Sequence, residues 1–171
     1  MATPPRNAPR RLFIGLWPPA DVRAAIADAR GRFLWPRGTR LTPAAKLHLT
    51  LHFLGDVSSE DERKLRDALA DLDVPAFDLT LREPQNWRSG LVVWLPDEEP
   101  ALLALREQVA MRMARAGLVA QRPWTPHVTL ARDAAGATPP QMLPPLAWPV
   151  RDVALVWSRP REGYEVLQIY S

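Results

Sequence analysis

The sequence predicts an α+β protein built as a pseudo-twofold duplication: two lobes, each a small, mainly antiparallel sheet flanked by helices, with a cleft between them. Three observations lead there. The frames His48-Leu49-Thr50-Leu51 and His127-Val128-Thr129-Leu130 stand 79 positions apart. Each frame follows an apolar strand-like run and then a helical stripe, in the same order. Within each frame apolar and polar side chains alternate with the period of a β-strand.

The elements follow from the chain in order. Proline is abundant, at 19 residues, and much of it falls in residues 2–10 and 137–149. Residues 1–10 therefore read as a flexible tail ahead of a single domain spanning 11–171. Leu12-Phe13-Ile14-Gly15-Leu16-Trp17 is a buried strand closed by Pro18-Pro19. Val22, Ala25, Ile26 and Ala29 then recur at helical spacing, with Asp21 to cap the start and Gly31 the end. A loop leads to Lys46-Leu47-His48-Leu49-Thr50-Leu51-His52-Phe53-Leu54-Gly55. Here Leu47, Leu49, Leu51 and Phe53 share the core parity, while His48, Thr50 and His52 share the other. Ser59-Glu60-Asp61-Glu62 is a capping box for a helix carrying Leu65, Ala68, Leu69 and Leu72.

The order then recurs. Leu91-Val92-Val93-Trp94-Leu95 is a strand closed by Pro96-Asp97. Leu102, Leu105, Val109, Met113 and Ala116 form a helical stripe ended by Gly117, and Trp124-Thr125-Pro126-His127-Val128-Thr129-Leu130-Ala131-Arg132 is the second frame. The halves diverge afterwards, because the second runs into a proline-rich loop over 133–149. Further strands are expected at 76–82, 153–158 and 164–170. Identity between the halves is low, so the repeat rests on the matched order of elements.

Composition sets the outer bounds. The 171 residues are 47% hydrophobic and 24% charged, ordinary for a globular chain able to bury a core. Lys+Arg of 22 against Asp+Glu of 19 gives a net charge of +3, which permits an anionic ligand without requiring one. No cysteine is present, which removes disulfides and thiolate metal sites. No apolar run is long enough to span a bilayer, and the first residues lack the apolar core of a signal peptide, so a cytoplasmic protein without a membrane partner is expected.

A His-x-Thr pair on a strand puts imidazole and hydroxyl on one face. Two such strands facing each other surround a small cavity with two titratable rings and two hydroxyl donors. That set suits in-line displacement at phosphorus, one ring taking a proton while the other gives one. One frame alone is adequately explained as a strand whose polar face meets water. The chain has only three histidines, however, and two of them stand at equivalent points of a repeat. His48 and His52 have the i, i+4 spacing of a helical zinc pair, but Leu49 stands where the glutamate of that motif belongs, so no metal is expected. His52 reads as a strand-end residue near the cleft rim. No nucleophile elbow, dinucleotide loop or Walker loop occurs, so no cofactor is expected. The seven tryptophans read as packing residues.

These residues resemble the two-histidine phosphoesterases, and within them the bacterial RNA 2′,3′-cyclic phosphodiesterases, historically called 2′-5′ RNA ligases. The resemblance covers nearly all of the chain after its first ten residues. It includes Arg11-Leu12-Phe13-Ile14-Gly15-Leu16, both His-x-Thr-Leu frames, Val92-Val93-Trp94-Leu95, Pro126 to Arg132, and Tyr164-Glu165-Val166-Leu167. It implies metal-independent opening of a 2′,3′-cyclic phosphate RNA end to a 2′-phosphomonoester, with reversible 2′-5′ ligation. It implies His48 as proton donor and His127 as proton acceptor, although pseudo-symmetry allows either ring to serve. Thr50 and Thr129 would bind the non-bridging oxygens. Arg132 matches a position near the phosphate, yet strict alternation turns it away from His127, so its use needs a strand that twists or ends there. The implied partner is RNA with a cyclic phosphate end, such as tRNA fragments, bound by a monomer. Relatives acting on another cyclic nucleotide or on ADP-ribose cyclic phosphate would share these residues. A non-catalytic RNA-end binder would be expected to have lost the histidines.

Overall fold

The computed structural model describes residue 5 and residues 7–171. Residues 1–4 and 6 of the expected tail lie outside the described residues. Its last member, Arg10, opens the first strand instead of ending the tail. The elements are β1 (Arg10–Leu16), α1 (Ala20–Gly31), β2 (Arg40–Leu41), a 3-10 turn at Ala44–Lys46, β3 (Leu49–Val57), α2 (Ser59–Leu69), β4 (Phe77–Trp87), β5 (Leu91–Pro96), α3 (Pro100–Arg115), β6 (Val128–Arg132), β7 (Leu146–Val150), β8 (Val153–Arg159) and β9 (Gly163–Tyr170).

All strand pairs are antiparallel, and the order across the sheet is β7-β4-β5-β6-β3-β1-β8-β9, with β2 on β6. The repeat is visible in that order. Strand–helix–frame appears as β1-α1-β3 and again as β5-α3-β6, and each frame strand pairs with the strand that opened its own unit. The two four-stranded halves meet through one paired position, Leu49 opposite Val128. Those two residues are themselves repeat equivalents, so the pseudo-twofold axis passes between them. Packing interlocks the halves: α1 contacts β7, and α3 contacts β3.

Burial explains the apolar runs. Leu12, Ile14 and Leu16 enter the main core while Phe13 packs on Ala154 and Val156 on the opposite side of the sheet. A strand buried on both faces needs a continuous apolar run, not an alternating one. The helical stripes land as expected, with Val22, Ile26 and Ala29 buried in α1, and Leu102, Leu105, Val109 and Met113 in α3.

Several local expectations are corrected. Pro19 occupies the N-cap of α1 with no side-chain cap, and Asp21 sits in the first turn, where its charge faces the positive end of the helix. The cap of α2 is Ser58, whose hydroxyl accepts from the Asp61 amide, one residue earlier than the expected box. β4 runs on to Trp87, past the expected 82. The loop over 133–149 contains the start of β7, which was not expected. Among the described residues β7 pairs only with β4, and it places Pro149 opposite Asp78. An edge strand has one unbonded side, so a proline without an N–H is tolerated there.

Candidate active site

His48 and His127 each stand one residue ahead of their strand, β3 and β6. Both face a cleft of about 510 Å3 whose lining also includes Thr50, Thr129 and Arg132. All five residues expected at the site are therefore gathered in one cavity.

The backbone fixes each ring in the same way. His48 Nδ1 donates to the carbonyl of Lys46 at 2.7 Å, and His127 Nδ1 donates to the carbonyl of Thr125 at 2.8 Å. In both cases the acceptor lies two residues upstream. A proton committed at Nδ1 leaves Nε2 as the atom that exchanges protons with the cleft. Nε2 of His48 lies 3.0 Å from the Thr50 hydroxyl, which donates to it when the ring is neutral.

The surroundings of the rings differ. His48 stacks on Trp17 at 5.0 Å and 10°, packs on Phe13 at 4.9 Å, and meets the edge of Tyr164 at 5.4 Å. Among the described residues His127 has one aromatic neighbour within such range, Trp87, at 4.7 Å and 61°. Gly15 supports the box. A Cβ there would lie 2.9 Å from the Leu49 carbonyl oxygen and 3.6 Å from Cδ2 of His48, so glycine permits the close approach of β1 to the frame.

Burial pushes the His48 imidazole down to about 4, and the charges of His127 and Arg132 push the same way against the Lys46 hydrogen bond. His127 is also lowered, first by burial and then by Arg132, with the Thr125 hydrogen bond opposing. Arg132 thus acts on both rings. Among the described residues no carboxylate forms an ion pair with it, since the adjacent Asp133 pairs with Arg40.

Alternation alone would turn Arg132 away from the cleft, and a β-bulge removes that objection. On β6 the register steps from Thr129 opposite Val93 to Ala131 opposite Val92, so Leu130 is the extra residue. Leu130 and Ala131 are both buried, and the side-chain parity flips after them. Arg132 then shares the cleft face with Thr129.

The first half has the equivalent bulge, which refines the reading of His52 and corrects that of Phe53. Thr50 pairs with Gly15 and His52 with Ile14, leaving Leu51 as the extra residue. His52 borders the cleft as expected but from its inner wall, 2% exposed, and its Nε2 donates to the Arg106 carbonyl at 2.9 Å. Phe53, expected in the core, is 43% exposed and lines the cleft.

Residues the sequence did not single out tie the frames together. Arg106, 4% exposed, donates from Nε to the Leu51 carbonyl and from its terminal nitrogen to that of Gln121. Its guanidinium lies 4.5 Å over the Trp124 ring, whose Nε1 donates to the Thr50 carbonyl. α3 thereby holds the bulge of the first frame and the segment entering the second. The acceptors are backbone carbonyls, which leave no side-chain signature. The lining cations Arg40, Lys46, Arg106 and Arg132 make the cleft positive, a setting that favours an anion over a metal ion.

Comparison with known proteins places the chain among relatives of one family and one fold. The profile of the 2'-5' RNA ligase superfamily matches residues 18–162. The RNA 2',3'-cyclic phosphodiesterase of Escherichia coli strain K12 is 38% identical to this chain, over 77% of it and 76% of the relative. The protein of the same name from Thermus thermophilus is 34% identical over 94% of this chain and 89% of its own. The crystal structure of E. coli LigT complexed with 3'-AMP superposes with a TM-score of 0.79 at 32% identity, covering 95% of this chain and 97% of that one.

Proposed function

The chain belongs to the 2'-5' RNA ligase superfamily, and from that premise we propose that it hydrolyses RNA 2′,3′-cyclic phosphate ends to 2′-phosphomonoesters by paired-histidine acid–base chemistry. The observation that carries the reading is the matched fixation of the two rings. Each Nδ1 is tied to a carbonyl two residues upstream, and each Nε2 is left to a shared cationic cleft.

In this mechanism a water attacks phosphorus opposite O3′. His127 takes a proton from the water at Nε2, and His48 delivers one to O3′ as the P–O3′ bond breaks. The Thr50 and Thr129 hydroxyls donate to the non-bridging oxygens, and Arg132 offsets the charge that builds on them. In 2′-5′ joining a 5′-hydroxyl takes the place of the water and the rings keep their roles, whereas the reverse, attack of O3′ on a 2′-5′ linkage, exchanges them. Each ring's contribution is worth roughly 10²–10⁴-fold in rate.

The protein surroundings alone bias the proton against this assignment, because His48 is buried deeper among aromatics and held near 4. The donor role requires the bound phosphate to recharge His48, the effect an anion has on a neighbouring imidazole. The substrate class extends to tRNA fragments with cyclic phosphate ends, handled by a cytoplasmic monomer in which residues 11–171 act as one catalytic unit. No helix among the described residues is long and apolar enough to cross a membrane.

The deciding experiment incubates the purified protein with a short RNA ending in a 2′,3′-cyclic phosphate, in excess chelator and without nucleotide. A 2′-phosphomonoester product is expected. A 3′-phosphate product, or turnover that requires an added divalent metal, overturns the mechanism.

A further inference from the structure

β2 is only two residues long, and it pairs with β6 so that Arg40 stands opposite Arg132. Directly opposed residues of an antiparallel pair share a face, and both arginines line the cleft. Like charges in that relation destabilise a sheet, so stability does not account for the pairing. Among the described residues the local carboxylate, Asp133, is bonded to Arg40 alone, and that pair is exposed, with side chains 70% and 59% accessible. An exposed pair of this kind is weak and readily exchanged for another anion. The arrangement is nevertheless anchored: the Thr42 amide donates to the Leu130 carbonyl at 2.9 Å, and Arg30 donates to the Thr42 carbonyl.

Arg132 shares the cleft face of β6 with Thr129 and lines the cleft with both catalytic rings, so the proposed mechanism sets its charge against the reacting phosphate. Arg40 stands on β2, which carries neither histidine, across the pairing from Arg132 and at the end of β6 away from His127, where a second anion beside the reacting phosphate would meet it. In an RNA ending in a 2′,3′-cyclic phosphate, the other phosphate on the terminal nucleoside is the diester at its 5′ oxygen. A guanidinium fork fits that group bidentately. We propose that Arg40, beside the reacting-phosphate position of Arg132, forms a second phosphate subsite for the diester immediately 5′ of the terminal nucleoside, so that oligoribonucleotides are preferred to mononucleoside 2′,3′-cyclic phosphates. The inference rests on the reading of the cleft as a site for cyclic phosphate RNA ends.

The test compares wild type and Arg40→Gln on three substrates: a nucleoside 2′,3′-cyclic phosphate, a trinucleotide with the same end, and that trinucleotide with a neutral methylphosphonate at its last linkage. Arg40→Gln should lower the preference in kcat/KM for the charged trinucleotide over the nucleoside by about tenfold, mostly through KM, as for a charged hydrogen bond at an open site. Neutralising the last linkage should cost wild type a similar factor and should largely remove the difference between the two proteins. A methylphosphonate one linkage further upstream should leave that difference in place, which separates a local contact from a general positive field. The salt dependence of log KM for the charged trinucleotide should weaken by about 0.7 in slope for the one lost contact. The subsite is overturned if Arg40→Gln acts equally on all three substrates, or on none. Should wild type turn over none of them, the hydrolytic reading fails, and the Kd values of the same three ligands for both proteins still decide the subsite.

Discussion

Leu51 and Leu130 are repeat equivalents, and each is the extra residue of a β-bulge in its frame strand. The duplication therefore preserved a backbone irregularity that lets a strand show the cleft two side chains separated by an odd interval. Thr50 and Phe53 share the cleft face in one half, as Thr129 and Arg132 do in the other. The bulge is common to both halves, while the residue it presents is not. The first half offers an aromatic ring and the second a guanidinium, so one pseudo-symmetric scaffold gives an asymmetric site.

Arg132 should be electrostatically coupled to both rings. Because its charge holds both imidazoles down, Arg132→Ala should raise the titration midpoints of His48 and His127 together in histidine NMR spectra of the unliganded protein. A variant that shifts neither ring would place the guanidinium outside the site.

The sequence disclosed what depends on side-chain type and order, and hid what depends on the backbone. Two histidines among three, each followed by a threonine at strand spacing, are legible because chemistry needs those side chains. The repeat is legible because strand, helix and frame recur in order. The bulges are not, since Leu51 and Leu130 are ordinary apolar residues and no glycine or proline marks the extra position. Strict alternation consequently put His52 at the cleft rim and Phe53 in the core, whereas His52 is the buried one and Phe53 the exposed one. β7 was hidden by Pro149, whose edge position is known only once β4 has paired. The clamp from Arg106 and Trp124 was hidden because its acceptors are the Thr50, Leu51 and Gln121 carbonyls.

Replacing either catalytic ring should be severe without unfolding the protein. His48→Gln and His127→Gln should each lower kcat by roughly 10²–10⁴-fold, and the double variant should be little worse than either, because the rings act as a unit. Losses that multiply in the double variant would assign the two rings to independent steps.

Acid should weaken the fold through the depressed histidines. A base whose folded pKa lies below its unfolded value takes up its proton first in the unfolded chain, so stability is present at neutral pH and falls as pH drops. For His48 the window runs from 6.5 down to about 4 and carries on the order of 3 kcal/mol. His52, lowered by burial beside Arg106, adds to the same trend below 6.5. The wild-type Tm should decline from pH 7 to 4.5, and the decline should shrink in His52→Leu. An unchanged slope in that variant would show that His52 is not held neutral by the fold.

Clamping by Arg106 should matter more to the fold than its surface neighbours do. Arg106→Leu leaves the carbonyl of buried Leu51 and that of exposed Gln121 without their donor, at a cost of about 2 kcal/mol in urea unfolding, most of it at Leu51. Trp124→Phe removes a single donor, to Thr50, and should cost about 1 kcal/mol. A loss below 0.5 kcal/mol in Arg106→Leu, taken roughly as the range of ordinary surface substitutions, would show that the carbonyls find other partners.

The pH dependence of turnover tests which ring gives the proton. The profile of kcat/KM reports the unliganded protein, and that of kcat the complex. Both free rings lie below the ordinary 6.5, so the kcat/KM bell should peak on the acid side of that value. Its limbs are macroscopic constants of the pair. A bound phosphate anion favours the charged form of each imidazole, so the kcat bell should lie at higher pH than the kcat/KM bell. The separation between the two profiles measures the recharging that a donor role for His48 demands. Single variants then assign the roles. His127→Gln removes the need for a neutral base, so its residual rate should lose the acid limb and keep the alkaline one. His48→Gln should do the opposite. If the two variants exchange these behaviours, His48 is the acceptor, its low free pKa already suits that role, and the recharging step disappears from the mechanism.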